Sequence, residues 1–142
     1  MFKTRKGDTL IIRLEKGEEL VESIINICEE EKIKTGIVSG IGACGEIEIG
    51  YFNTDNKEYF SKQFEGHLEI VSLSGNFSHM KREPYVHFHM AFSDEDLNLH
   101  GGHLNSAVIS ATGEIFIQAV DVEVDRDFSE EIGLNLMEFR GE

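Results

Sequence analysis

His87 and His89 stand one residue apart in the apolar run Pro84-Tyr85-Val86-His87-Phe88-His89-Met90-Ala91-Phe92. A third histidine, His103, follows the glycine pair of Leu99-His100-Gly101-Gly102-His103-Leu104. On a strand, successive side chains alternate faces, so His87 and His89 project to one side and Val86, Phe88 and Met90 to the other. A second strand folded back across Ser93-Asp94-Glu95-Asp96 would bring His103 beside them. Three imidazoles converging on one face are the donor set of a divalent metal, zinc above all, with a fourth position left open.

The convergence depends on register. If Phe92 pairs with Asn98 around a five-residue connection, His89 faces Gly101, His87 faces His103, and all three histidines share a face. His100 then lies on the opposite face beside Met90. A slip of one residue exchanges the faces of every side chain, so that His89 meets His100 and His103 turns away. Periodicity allows either pairing. In the first, a residue without a Cβ opposite His89 leaves room for an ion and a bound molecule, so Gly101 and Gly102 are expected to shape a pocket. His67 and His79 each stand alone and read as surface or hydrogen-bonded residues.

Three neutral imidazoles on a divalent ion leave a net charge of two, with water in the remaining place. Such a centre lowers the pKa of the water towards ~7 or polarises a carbonyl or carboxylate oxygen. Glu83, Asp94, Glu95 and Asp96 are the carboxylates near enough in sequence to support it, although the last three belong to a turn. No serine or cysteine nucleophile stands at a recognisable spacing from a base. Cys28 and Cys44 form no CxxC pair. Cys28 lies on the apolar stripe of a predicted helix and reads as a buried thiol.

The elements that must position these residues are many strands and one helix. Phe2 to Arg5 and Thr9 to Leu14 read as a hairpin around Lys6-Gly7-Asp8. From Glu18 to Lys32, Leu20, Val21, Ile24, Ile25, Ile27 and Cys28 recur at helical spacing. Glu29-Glu30-Glu31 sit where the helix dipole prefers cations, so packing of the apolar face must outweigh local electrostatics. Strands are predicted at Ile33 to Ser39, through Ile47, Ile49 and Tyr51, at Lys57 to Glu65 and at His67 to Phe77. After the histidine-bearing pair come Ala107 to Ala111, Glu114 to Val124 and a last strand at Leu134 to Phe139. The expected class is α+β, a mostly antiparallel β-sheet with one main helix on one face, in a single domain over residues 1–142.

Gly40-Ile41-Gly42-Ala43-Cys44-Gly45 contains G-x-G but lacks the context of a dinucleotide loop, because a strand and not a helix follows. A β-bulge or tight bend accounts for it. Gly40 and Gly42 permit close backbone approach, either at a ligand pocket or at a subunit interface.

Composition narrows the partners. Acidic residues outnumber basic ones 27 to 13, for a formal charge of -14. Duplex DNA binding draws its affinity from clustered lysine and arginine, and here the only dense basic cluster is Lys3, Arg5 and Lys6. Nucleic acid is therefore a disfavoured partner. No apolar run approaches the ~18 residues of a membrane span. Gly7-Asp8 interrupts the basic start where a secretory leader would turn apolar, so the expected address is cytoplasmic.

Glu83-Pro84-Tyr85-Val86-His87-Phe88-His89-Met90-Ala91-Phe92-Ser93 followed by Gly101-Gly102-His103-Leu104 resembles the signature of the plants-and-prokaryotes-conserved (PPC) domain. Val38-Ser39-Gly40-Ile41-Gly42-Ala43 with Gly50-Tyr51-Phe52, Gly75-Asn76-Phe77 and Thr112-Gly113-Glu114-Ile115 are similar to its other stretches. The resemblance implies an α+β fold assembled as a homotrimer, with zinc on His87, His89 and His103. It also implies a fold related to acetolactate decarboxylase, a zinc enzyme. Plant members join the domain to AT-hooks; this chain has no Arg-Gly-Arg-Pro core and one proline, Pro84. The leading expectation is a homotrimer with a three-histidine zinc site that binds or acts on a small oxygen-bearing molecule. The alternatives are a non-catalytic protein-interaction and oligomerisation module, and a DNA-associated regulator.

Overall fold

The computed structural model describes residues 1–139. Eight strands and one helix follow in the order β1 (Phe2–Lys6), β2 (Thr9–Glu15), α1 (Leu20–Glu30), β3 (Thr35–Asn53), β4 (Glu58–Met80), β5 (Glu83–Ser93), β6 (Leu99–Val120), β7 (Asp125–Ser129) and β8 (Leu134–Glu138). The first six form one antiparallel sheet in the order β1-β2-β6-β3-β4-β5, and β5 also pairs with the start of β6. That extra pairing closes β6, β3, β4 and β5 into a ring around the apolar core. β7 and β8 form a separate hairpin. Among the described residues no helix is long and apolar enough to cross a membrane.

The strands differ from the sequence expectation in length. Residues 35–39 and 47–51 belong to one strand, as do 58–65 with 67–77, and 107–111 with 114–120, while 33–34, 57 and 121–124, expected in strands, fall outside them. The breaks read from the sequence are bulges inside continuous strands. Their effect is visible in parity: Val38 and Cys44 are buried on β3, then Ile47 and Ile49; Leu68 and Ile70 on β4, then Leu73 and Phe77. An inserted residue shifts which side chains face the core, and the register skips Gly45 on β3 and Val71 on β4. Gly42 carries a φ of 155°, and a Cβ there would strike the Thr112 carbonyl oxygen. The expected bulge in the glycine-rich stretch is therefore a place where β3 and β6 meet backbone to backbone.

Helix α1 is shorter than the predicted 18–32 and stops before Lys32, whose φ is 55°. It lays Leu20, Ile24, Ile27 and Cys28 into the core. Glu19 caps its start, accepting from the Glu22 backbone N–H at 2.6 Å and, through its other oxygen, from Ala107 N–H at 2.9 Å. The acidic C-terminal end is neutralised from β1: Lys3 Nζ lies 2.7 Å from Glu30 and 2.8 Å from Glu31, and Arg5 Nη1 is 3.2 Å from Glu31. Two of the three basic residues in the N-terminal cluster are thus engaged by the helix end. Both thiols are buried, and burial pushes Cys28 and Cys44 up to about 12.

Candidate metal centre

β5 buries Phe88, Met90 and Phe92, so the alternation turns His87 and His89 to the other face. The position of His103 needs a second device. On β6 the core residues Ala107, Ile109, Ile115 and Ile117 are odd-numbered, and an unbroken strand would bury position 103 with them. The register against β3 passes from Glu48↔Ser106 to Ile49↔Leu104, leaving Asn105 as the extra residue. That bulge buries Leu104 and turns His103 outward. Asn105 is tied in place, accepting from Tyr59 Oη at 2.6 Å and donating through Nδ2 to Glu48 Oε1 at 3.2 Å.

The β5–β6 turn has the expected five-residue connection, but it lies one residue later in the chain than the first pairing assumed, so β5 runs to Ser93 and β6 starts at Leu99. Ser93 faces Leu99, Phe92 faces His100, and His89 faces His103. The shift between the two registers is two residues, which preserves faces, so the three histidines converge. It changes their neighbours: Gly101 lies opposite Ala91 and Gly102 opposite Met90, and no glycine faces His89. His100 sits beside Phe92 rather than Met90, its ring 5.3 Å from that of Phe92 and 4.9 Å from that of Phe64. Its Nε2 lies 2.9 Å from Asp94 Oδ2, and this bond is the largest cause of the lowered Asp94 pKa.

Ring centroids are 5.2 Å apart for His87–His89, 5.2 Å for His87–His103 and 5.7 Å for His89–His103. One nitrogen from each ring lies within 4.8 Å of the other two. Tetrahedral zinc with bonds of ~2.0–2.1 Å spaces its donors about 3.4 Å apart, so modest ring rotation is what coordination requires. Among the described residues none of the three rings hydrogen-bonds to protein, which leaves nitrogens available. Burial lowers the pKa of His87, with further lowering from His103, Arg126 and His89. Burial, then His89, does the same for His103. Both are therefore neutral at pH 7 with a lone pair to offer. The donor set fits zinc: nitrogen only, partly buried, and without a carboxylate to favour calcium or magnesium.

The histidines line a cavity of about 610 Å³, roofed by the β7–β8 hairpin and walled by Tyr51, Phe52, Tyr59 and Tyr85. Gly102 lines it as expected. Gly101 borders a neighbouring groove, while Gly40 and Gly42 lie away from the cavity, in the β3 bulge against β6. Glu83, Asp94, Glu95 and Asp96 are not on its wall. Asp94 instead accepts the backbone N–H groups of Asp96 and Asn98 and organises the turn. His67 is exposed, and His79 Nδ1 lies 3.0 Å from the Lys34 carbonyl oxygen. Sequence reasoning missed β7 and its Arg126, which joins the cavity wall. The available signal was a lone arginine between Asp125 and Asp127 in an otherwise acidic segment.

Among solved structures, a protein of Bacteroides thetaiotaomicron named as a candidate DNA-binding protein is 31% identical, covers 97% of this chain and 96% of its own, and superposes with a TM-score of 0.94. A metal-containing protein of Archaeoglobus fulgidus is 36% identical, with 96% of each chain covered and a TM-score of 0.86. Acetolactate decarboxylase of Bacillus subtilis shares the fold alone, at 16% identity and a TM-score of 0.54 over 84% of this chain and 55% of that one. No curated protein matches. The family model of the Plants and Prokaryotes Conserved domain matches residues 1–121, and the chain belongs to that family.

Proposed function

We propose that His87, His89 and His103 hold a zinc ion and that the adjoining cavity binds, or acts on, a small oxygen-bearing molecule, in a cytoplasmic homotrimer. The observation that carries this reading is the meeting of three imidazoles, free of protein hydrogen bonds, on the wall of a cavity of about 610 Å³. The Archaeoglobus relative, named as metal-containing, supports it. Zinc so held supplies an activated water or a polarised oxygen. The chain's own contribution is to orient and to exclude solvent. Tyr59 sets its ring edge against His103, with centroids 6.1 Å apart, and the β7–β8 hairpin covers the opening. Assembly draws support from the apolar side chains left on the outer sheet face, among them Ile11, Ile37, Ile41, Val71 and Phe116.

Metal analysis of protein purified without chelators, beside a His87→Ala/His89→Ala variant, tests the centre. Near-stoichiometric zinc in the first and little in the second is expected, and equal content in both refutes the ligand assignment. Light scattering tests assembly, with about 48 kDa expected against the 16.0 kDa of one chain.

The same apolar face favours a second reading, a non-catalytic interaction module. In that case His103→Ala leaves oligomerisation and partner capture intact and no small molecule is turned over. A DNA-associated role, suggested by the name of the Bacteroides relative, meets a charge of -14 and a basic cluster engaged by the helix end. Retention on duplex DNA at physiological salt would restore it.

A further inference from the structure

Arg126 is 5% exposed and borders the histidine cavity. Its Nε–H donates to Ser78 Oγ at 3.0 Å, Nη1 to the Asn135 carbonyl at 3.0 Å, and Nη2 to Asn76 Oδ1 at 2.9 Å. The ring of Tyr85 lies 4.6 Å from its central carbon. A hydroxyl, a carbonyl, an amide oxygen and an aromatic face fix the guanidinium in place, and none of them is an anion. A guanidinium has five N–H donors, so two remain.

A buried charge without a counter-charge is costly, and proteins that retain one commonly use it. The surroundings make the omission pointed. The chain carries 27 acidic residues, yet among the described residues no carboxylate lines this cavity. Arg126 also borders a separate groove with Asp127 and Glu138, and among the described residues neither of those carboxylates bonds its guanidinium. Among the described residues the lysines stand elsewhere too, and Arg126 is the one permanent cation lining the histidine cavity.

We propose that Arg126 is an anion anchor and that the cavity takes a small monocarboxylate. Two remaining donors on a planar guanidinium match the two oxygens of a carboxylate, and its single positive charge is balanced by a single negative one. The rest of the molecule lies against Tyr51, Phe52, Leu134 and Leu136. The proposal deepens the three-histidine reading and rests on it for what meets the ligand's far end. The preference for a negative charge stands on Arg126 alone.

The experiment uses the full chain, stripped of metal by chelator and held at pH 8. Benzoate and its uncharged analogue benzamide are titrated calorimetrically. Benzoate is expected to bind at least tenfold more tightly. Arg126→Gln is expected to erase the preference and Arg126→Lys to restore part of it. Because Arg126 also ties the hairpin to β4, the benzoate–benzamide comparison in the unmodified protein decides the matter without any variant. Equal affinity there, or binding of neither, overturns the proposal. Zinc retention without a benzoate preference would overturn the anchor and leave the metal centre standing. A benzoate preference in a protein that never holds zinc would do the reverse.

Discussion

If the three histidines hold zinc as proposed, its binding to the folded chain must appear as stability, and the structure sets how much of that stability the histidine variant should lose. Among the described residues His87 and His89 make no hydrogen bond to protein, and their side chains are half-buried and exposed respectively. Replacing both by alanine therefore leaves no orphaned partner and opens no core cavity. The metal-free double variant is expected to lie within about 1 kcal/mol of the metal-free parent. Adding zinc at 100 times its dissociation constant stabilises the parent by ~2.7 kcal/mol. For a domain of this size that corresponds to a rise in Tm of about 5–11 °C. The double variant should show less than about a fifth of that shift. Differential scanning calorimetry with and without zinc, after chelator treatment, reads both numbers. His67→Ala, at an exposed histidine away from the cluster, serves as control and should shift like the parent. An equal zinc-induced shift in the double variant would refute the assignment, because the ion would then be held by other groups. A large loss of metal-free stability would refute the claim that these rings are structurally unencumbered.

Asn105→Ala removes two side-chain hydrogen bonds at the bulge that aims His103, and is expected to cost about 1–2 kcal/mol in urea unfolding and to weaken zinc retention. Phe88→Ala, at a side chain 1% exposed between the two β5 histidines, is expected to cost about 3–5 kcal/mol by the same assay. For the metal-free protein, His87 and His103 have folded pKa values below the unfolded ~6.5, so the unfolded chain binds more protons as pH falls through that value. Their contribution is therefore full above pH ~6.5 and is lost on acidification. Thermal melts across pH 8 to 5 should show a fall that is smaller in His87→Phe.

The histidine face was legible because two-residue periodicity is local: Phe88, Met90 and Phe92 point inward whatever β5 pairs with. The pairing itself was not. A turn built by Asp94, through the N–H groups of Asp96 and Asn98, sets where the strands begin to pair, and either candidate register had the same hydrophobic pattern. Strand continuity failed for the opposite reason. Glycine and polar residues at 45, 66 and 105–106 break alternation in the sequence, and alternation is what a bulge disrupts, so a bulged long strand reads as two short ones. Arg126 lay beyond the reach of the pattern altogether. Its burial depends on Asn76 and Ser78, about 50 positions earlier in the chain.

His103 shows why the bulge belongs to the site and not merely to the sheet. The sequence places two constraints on β6 that a regular strand cannot satisfy together: Ile109, Ile115 and Ile117 must face the core, and His103, at the same parity, must face His89. One extra residue between them resolves the conflict, and the register places it at Asn105. Tyr59, which holds Asn105 by its hydroxyl, also walls the cavity and meets the His103 ring by its edge. The residue that fixes the strand's irregularity is thereby in contact with the imidazole that the irregularity exposes. Removing Asn105 from the chain should restore unbroken alternation. It would force a choice between burying His103 and exposing the isoleucines, and the larger apolar area of the isoleucines decides it. The expected product is a folded protein whose β6 keeps its core face, with His103 turned inward and the three-nitrogen cluster dissolved.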